Sequence, residues 1–213
     1  MVQVMVFVLA LLLVLASPFN GVKSQTIEEV LNRIQNFYEK TESIRASFVQ
    51  ETDFPSGKRE IRKGKVWMKK PGLFRWEYLE PEKFIIISDG RNIYVYYPEE
   101  NQAFVYPSGK AVSSQLALGF MSGRGDIRKD LKIESFKTLE KNLWQINFFT
   151  SHADSQIEKI SLLVNLSTGE VKEILLYYLS GEKVKIIFEN LEYNAEFSPK
   201  IFKFNPPKRV KIN

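Results

Sequence analysis

The spacing of apolar residues near the start of the chain predicts a helix. Apolar side chains recur at helical spacing over residues 27–38, which indicates an amphipathic helix that ends near Lys40 or Thr41. Just before this stripe, Thr26 and Glu29 have the spacing of a capping box, in which each residue satisfies a backbone N–H of the other. The patterned part of the chain therefore opens with one helix.

From Ile44 onward the period changes to two, which is typical of β-strands. Turn signals such as Asp89-Gly90 and Ser180-Gly181 separate the alternating segments. Consecutive strands joined by short turns form an antiparallel meander. The predicted strands are Ile44–Asp53, Arg59–Lys69, Leu73–Leu79, Lys83–Ser88, Asn92–Tyr97, Gln102–Tyr106, Leu131–Leu139, Asn142–Thr150, Ile157–Asn165, Glu170–Leu179 and Lys183–Tyr193, and Phe202–Ile212 is compatible with a last edge strand.

Residues 107–130 interrupt the alternation. Short helices are predicted at Ser113–Met121 and Asp126–Leu131, where apolar residues lie among Ser, Gly and Ala. Apolar helices interrupted by glycine between two series of strands are typical of a mobile flap.

A sheet of about eleven strands must curl. Closing it into a barrel would remove its edges, but the helical segments also need a place. We therefore predict a mainly β (α+β) fold, an incomplete, strongly curved antiparallel β-barrel of about 11 strands with a lid of about three helices. Such a shape encloses a concave apolar space of the kind that holds ligands.

The segment Lys65–Tyr78 concentrates large apolar side chains on one surface. Its two predicted strands are joined by Pro71-Gly72, which fits a type II turn. The residues that share one face of the two strands are Val66, Met68, Phe74, Trp76 and Tyr78. Strand aromatics usually pack in ordinary cores, so the pattern alone leaves open whether this face fills a core or lines a cavity.

The N-terminal region has the features of a signal peptide. The apolar run from Val4 to Ala16 is too short to span a bilayer and fits a signal-peptide core. Val22 and Ser24 suggest cleavage before Gln25, so we expect a signal peptide at 1–24 and a single domain at 25–213. Because the charged segment that normally precedes the core is missing, an uncleaved anchor is the alternative.

Composition disfavours several kinds of chemistry. The chain has no cysteine, which excludes disulfides, thiolate metal sites, cysteine nucleophiles and lipid attachment through cysteine. Its one histidine, His152, lies too close in sequence to Ser151 and Asp154 for a catalytic triad. The net charge is +5, but the basic residues do not form a stripe in the sequence, so we expect no nucleic-acid partner. Metal-ligand clusters are also missing, so we expect a binding protein rather than an enzyme, without metal or cofactor.

Several ordered motifs along residues 25–213 resemble the LolA family, which carries lipoproteins across the bacterial periplasm. The matching segments are Ala46-Ser47-Phe48-Val49-Gln50, Gly64 to Trp76, Pro81, Ser88 to Tyr96, Asn101-Gln102 and Phe202-Lys203-Phe204-Asn205-Pro206-Pro207. The resemblance implies an incomplete β-barrel with a helical lid over an apolar cavity for acyl chains. It further implies a periplasmic monomer that takes triacylated outer-membrane lipoproteins from an inner-membrane lipoprotein-releasing ABC transporter. The cargo then passes to an outer-membrane lipoprotein receptor, with no cofactor and no bond cleavage.

The resemblance also implies roles for individual residues. The aromatic-rich face of Lys65–Tyr78 would contact acyl chains, together with Leu31 and Ile34 of the first helix and with Leu116, Leu118 and Phe120 of the flap. The alternative for each is ordinary packing of a helix on a sheet. Lys70 occupies a position where the family often has an arginine thought to hold the lid to the barrel. Lysine lacks the planar fork of arginine, yet we expect Lys70 to point toward the lid and act as its latch.

Two other functions compete with the carrier. The same half-barrel could serve as a lipid-binding or lipoprotein-sensing domain without a transfer role. A lipid hydrolase is disfavoured because no nucleophile–base pair stands out. The receptor counterpart in this family is itself a lipoprotein, and the missing cysteine argues against that role.

Overall fold

The computed structural model describes residues 26–108, 121, 125–140, 142–150, 156–207 and 210–212. The predicted signal peptide at 1–24, the residue His152 and most of the predicted flap lie outside these residues. The strands within the described part are β1 (Ser43–Asp53), β2 (Arg59–Lys69), β3 (Leu73–Glu80), β4 (Phe84–Ser88), β5 (Asn92–Tyr97), β6 (Gln102–Pro107), β7 (Leu131–Glu140), β8 (Leu143–Thr150), β9 (Ile157–Asn165), β10 (Val171–Tyr178), β11 (Lys183–Tyr193) and β12 (Lys211–Ile212). The helices are α1 (Ile27–Lys40), α2 (Ile127–Asp130) and a 3-10 helix at Pro199–Phe202.

All of these strands belong to one sheet, whose spatial order is β12-β6-β5-β4-β3-β2-β1-β11-β10-β9-β8-β7. Two meanders, β1–β6 and β7–β11, meet where β1 pairs with β11 at the centre. Neighbours are antiparallel except β12, which runs parallel to β6. Among the described residues β12 and β7 form the two ends of the sheet, so the sheet is not closed. The predictions of a mainly β fold and an open sheet are confirmed.

Helix α1 begins and ends where the pattern predicts. The Thr26 N–H donates to Oε2 of Glu29 at 3.1 Å, and the Glu29 N–H donates to Oγ1 of Thr26 at 3.2 Å. This reciprocal pair is a capping box, and the helix extends to Lys40. Its apolar stripe is buried in the main hydrophobic core.

We define the inner face of the sheet as the one that contributes to the core shared with α1. Alternate residues of the central strands point into this core, where Val66, Leu162 and Ile174 are fully buried. Part of the opposite, outer face is covered by the C-terminal segment. There the Arg75 guanidinium donates to the Ile201 carbonyl oxygen at 3.1 Å, on the turn that contains the 3-10 helix.

The counts of strands and helices differ from the prediction. The described residues contain twelve strands rather than about eleven. The last edge strand expected within Phe202–Ile212 is confined to Lys211–Ile212, since Phe202 belongs to a 3-10 helix and Pro206 and Pro207 lack the N–H that a ladder needs. They contain two α-helices rather than about three. The helix predicted at Asp126–Leu131 is α2, whereas the one predicted at Ser113–Met121 lies outside the described residues except for Met121. No helix in the described ranges has the length and apolar content needed to cross a membrane.

Lys70, Pro71 and Gly72 form the turn between β2 and β3. Gly72 has the expected positive φ of 66°, but the Lys70–Pro71 peptide bond is cis. The Ser88 hydroxyl donates to the Gly72 carbonyl oxygen at 3.0 Å, and the Lys70 N–H donates to the Glu42 carbonyl oxygen at 3.0 Å. These bonds hold the turn to β4 on one side and to the end of the α1–β1 connection on the other.

Candidate functional site

The β2–β3 hairpin presents its large apolar side chains to the inner face. The strands pair Val66 with Trp76, Met68 with Phe74 and Gly64 with Tyr78. Because directly paired residues point to the same side of a sheet, all five predicted residues of this hairpin share one surface. Val66, Met68, Trp76 and Tyr78 are buried, and Phe74 is half-buried. Their contact with acyl chains stays a prediction.

Phe48 of β1 lies at the centre of this surface. Its ring centroid is 4.7 Å from that of Trp76 and 5.0 Å from that of Tyr78, both in edge-to-face geometry. The ring rests on Gly64, where an added Cβ would lie 2.7 Å from Phe48 ring carbons and 2.1 Å from the Glu77 carbonyl oxygen. Sequence reasoning left Phe48 out of the site, although the period of two in β1 already placed it on the face of Ile44 and Ala46.

Helix α1 covers part of the inner face. Leu31 and Ile34 are buried in the same core as the residues of the β2–β3 hairpin, so the structure brings these two groups of predicted residues together. Leu116, Leu118 and Phe120 lie outside the described residues. At the end of that segment, Met121 is described and is buried in the core together with Ile127 of α2.

One side of α1 is attached to β10 and β11 through buried groups. The Val171 N–H donates to the Tyr38 hydroxyl oxygen at 3.1 Å, and burial raises the pKa of Tyr38 well above its usual value. The Phe37 ring meets Tyr193 edge-on at 4.8 Å. The Tyr193 hydroxyl in turn donates to Oε1 of Glu170 at 2.6 Å. We call these groups, Phe37, Tyr38, Glu170, Val171 and Tyr193, the tyrosine anchor.

A second attachment on this side involves the β9–β10 turn. The Arg33 guanidinium donates to the Leu166 carbonyl oxygen. The turn approaches α1 so closely that a Cβ added at Gly169 would lie 2.7 Å from the Arg33 carbonyl oxygen. Gly169 has a φ of 85°, so both its conformation and its surroundings require glycine.

The other side of α1 is attached through Lys70. The Lys70 Nζ donates to the Glu39 carbonyl oxygen at 2.7 Å, in the last turn of the helix. A cation at a helix C-terminus is favourable because the unpaired carbonyls there carry partial negative charge. Lys70, the predicted latch residue, therefore contacts α1 from the β2–β3 turn. Its effect on lid opening stays a prediction.

Helix α2 is joined to α1 by polar contacts that sequence reasoning missed. The Ile127 N–H donates to Oε1 of the buried Gln35 at 3.0 Å. The Arg128 guanidinium donates to Oδ1 of Asn32 at 3.0 Å and to the Asp126 carboxylate at 2.8 Å. The hydrogen bond from Arg128 lowers the pKa of Asp126 to about 2. No local sequence pattern predicts the contacts of Ile127 with Gln35 and of Arg128 with Asn32, because they join segments more than 90 residues apart.

A groove elsewhere on the molecule is less suited to acyl chains. It has a volume of about 740 Å³ and is lined by Glu42, Ser43, Lys69, Asn194, Ala195, Glu196, Phe197 and Ser198. Six of these eight residues are polar or charged, and none of them is a predicted site residue. The apolar inner face is therefore the better candidate site.

Comparison with known proteins agrees with this assignment of fold. The outer-membrane lipoprotein carrier protein of Dechloromonas aromatica is 27% identical over 178 residues, which cover 83% of this chain and 84% of the relative. An uncharacterized conserved protein from Thermus thermophilus has a similar crystal structure, with a TM-score of 0.56 and 14% identity, covering 89% of this chain and all of that one.

A second similar crystal structure is that of a LolA superfamily protein from Nitrosomonas europaea, with a TM-score of 0.50 and 14% identity over 85% of this chain and 99% of that one. At such identities the two structures indicate the fold alone. The family model described as outer membrane lipoprotein carrier protein LolA matches residues 39–205. Since this match spans well over half of the sequence, the chain belongs to the LolA family.

Proposed function

We propose that this protein is a periplasmic carrier that holds the acyl chains of outer-membrane lipoproteins on the inner face of its sheet. The observation that carries the proposal is the apolar surface formed by α1 and the β2–β3 hairpin, within a chain of the LolA family. The family relatives are named as outer-membrane lipoprotein carriers. The protein takes triacylated lipoproteins from an inner-membrane lipoprotein-releasing ABC transporter, delivers them to an outer-membrane lipoprotein receptor, and acts as a monomer.

The energetics of lipid transfer support a lid that closes weakly. Each buried CH₂ of an acyl chain contributes about 0.8 kcal/mol, so a lipid anchor does not leave a membrane unaided. A carrier must offer comparable apolar area and still release its cargo. A lid that packs on the inner face when the site is empty achieves this, because its own closure competes with the cargo. In this proposal α1 and residues 113–121 form the lid, and Lys70 latches it through the Glu39 carbonyl oxygen.

A lipoprotein-release assay tests the proposal. Inner-membrane vesicles that contain the ABC transporter and a labelled triacylated lipoprotein are incubated with ATP and the purified protein. We expect soluble lipoprotein to appear in complex with the protein, and then to move to a receptor added in a second step. Lipoprotein that stays in the vesicles would contradict the carrier role. Capture without handover would favour the lipid-binding or sensing alternative.

A pair of neighbouring substitutions locates the cargo. Phe74→Glu places a charge at a half-buried inner-face position, whereas Leu73→Glu places the same charge on the outer face one residue away. We expect only Phe74→Glu to lower the yield of soluble lipoprotein, by about tenfold or more, because a charge there opposes burial of an acyl chain. Equal yields for the two variants would show that cargo binds elsewhere.

A further inference from the structure

The apolar row on the inner face of β2 ends at a charged residue. Inward positions along this strand are Met68, Val66 and Gly64, and the next inward position is Arg62. The β1–β2 register pairs Arg62 with Gln50, and Gln50 pairs with the buried Ile186 on β11. Arg62 therefore lies on the inner face, at the end of the apolar row opposite the β2–β3 turn.

The guanidinium of Arg62 is only partly satisfied. Its Nη2 lies 2.7 Å from Oε2 of Glu60, and the side chain is 26% exposed. Its Nε is buried and has no hydrogen-bond partner among the described residues. A buried donor without a partner is unfavourable, and more so when it is charged. This atom therefore indicates a place where an acceptor from a ligand would bind.

Glu60 cannot neutralise this region. Its Oε2 forms an ion pair with the Arg62 guanidinium, and its Oε1 forms one with the Lys58 Nζ at 2.7 Å. Two cations thus share one carboxylate, and the group Lys58, Glu60 and Arg62 keeps a net charge of +1. The remaining charge favours an anionic acceptor over a neutral one.

The surroundings of Arg62 are aromatic. The Tyr78 hydroxyl donates to Oε1 of Gln50 at 2.9 Å, and the Tyr78 ring stacks on Phe84 with centroids 4.0 Å apart. Burial raises the pKa of Tyr78 and of Tyr97, and the charge of Glu100 raises that of Tyr97 further, whereas the positive charge of Arg62 acts in the opposite direction on each. Because Gln50 pairs with Arg62 and accepts from the Tyr78 hydroxyl, Arg62 lies at the boundary between polar side chains and the apolar inner face.

The length of the row matches one alkyl chain. Met68 lies six positions after Arg62 in the sequence, which corresponds to about 20 Å at the usual rise of a strand. The acyl chains of one leaflet span about 15 Å, half of a bilayer core. An amphiphile with its head at Arg62 would therefore keep its whole tail along the row.

We propose that Arg62 forms a second subsite on the inner face, which binds the carboxylate of a single-chain fatty acid through Nε–H while the alkyl tail lies along Val66 and Met68. The subsite rests on the proposed function, since Val66 and Met68 are buried in the core shared with α1 and the alkyl tail reaches them only when the inner face opens to accept an acyl chain. It gives the protein a ligand class distinct from triacylated lipoproteins, whose ester and amide carbonyls are uncharged.

Binding of laurate and of dodecanol to the purified protein tests this proposal. The two ligands share one tail, and each is titrated below the concentration at which it aggregates. We expect Arg62→Gln to weaken laurate binding by about tenfold or more, the effect of one charge-assisted hydrogen bond, and to leave dodecanol binding unchanged. Arg59→Gln is the matched control, since it removes the same charge from the outer face, where Arg59 pairs with Asp53. It should leave laurate binding unchanged.

A second substitution separates the role of the positive charge from that of the Nε–H. Arg62→Lys keeps the charge but lacks the Nε–H, and we expect it to weaken laurate binding as well. Unchanged laurate affinity in Arg62→Gln, or an equal loss for dodecanol, would overturn the subsite. A wild-type protein that binds neither ligand would also overturn it. The release assay with lipoprotein tests the carrier role separately, because it uses no free fatty acid.

Discussion

The two sides of α1 are held by contacts of different kinds. On the side of β10 and β11, the tyrosine anchor combines a fully buried hydroxyl, an aromatic contact and a hydrogen bond to Glu170. On the side of the β2–β3 turn, the contact is a hydrogen bond from the flexible side chain of Lys70 to a backbone carbonyl at the helix end. A buried network is costly to break, whereas a solvated lysine contact contributes little.

This difference predicts which side of α1 separates first when the helix acts as a lid. We expect α1 to stay attached at the tyrosine anchor and to separate first from the β2–β3 turn. The inner-face residues of β2 and β3 would then be uncovered, while the side toward β10 stays packed.

Removing the central contact of α1 should have the largest effect. Ile34→Ala deletes a side chain with 0% exposure, and the resulting cavity should lower the free energy of unfolding by about 2–5 kcal/mol. Urea denaturation measures this change. Asn36→Ala, at an exposed position two residues away, is the control and should stay within about 0.5 kcal/mol of the wild type. Equal effects of the two substitutions would show that α1 does not pack on the sheet as described.

The tyrosine anchor is tested by removing one hydroxyl. Tyr38→Phe keeps the ring but leaves the buried Val171 N–H without its acceptor, which should cost about 1–3 kcal/mol of unfolding free energy. Tyr106→Phe makes the same change at an exposed position and should be nearly neutral. A Tyr38→Phe protein as stable as the wild type would remove the distinction between the two sides of α1.

The lysine side should affect opening more than stability. Lys70→Leu should lower the unfolding free energy by less than about 1 kcal/mol, since the bond it removes is solvated. Amide hydrogen exchange in the last turn of α1 should nevertheless become faster, and lipoprotein release and delivery should change. Lys70→Arg should preserve slow exchange, because arginine also donates to carbonyls. If Lys70→Leu left exchange, release and delivery unchanged, Lys70 would have no latch role.

The smallest effect concerns pH and the contact between α1 and α2. The Arg128 hydrogen bond keeps the pKa of Asp126 at about 2, below the usual 3.8 of a free carboxyl. A depressed folded-state pKa contributes stability that is fully present above about pH 4 and is lost as pH falls through 2. The protection factor of the Ile127 amide, followed by NMR between pH 5 and 2, should therefore fall toward low pH. In Asp126→Asn this fall should be missing.

Local sequence patterns predicted the features that depend on residues close together in the sequence. The capping box of Thr26 and Glu29, the extent of α1 and the shared face of the β2–β3 hairpin all follow from periods of 3.6 and two. The hydrogen bonds from Ile127 to Gln35 and from Arg128 to Asn32 did not follow, since those contacts depend on how distant segments meet. Lys70 is intermediate: the family pattern suggested that it faces the lid, but only the fold identifies the Glu39 carbonyl as its acceptor.

The pairing of β1 with β11 has a consequence for the order of folding. These strands occupy the centre of the sheet, yet they come from opposite ends of the patterned chain, as in the pair Ile44 and Tyr193. Pairings between such distant segments form late, because the loop between them must close first. The tyrosine anchor also uses Tyr193, so the ring contact with Phe37 and the hydrogen bond to Glu170 form only after β11 has been made. Helix α1 is therefore fully attached to the sheet only when nearly the whole patterned chain is present.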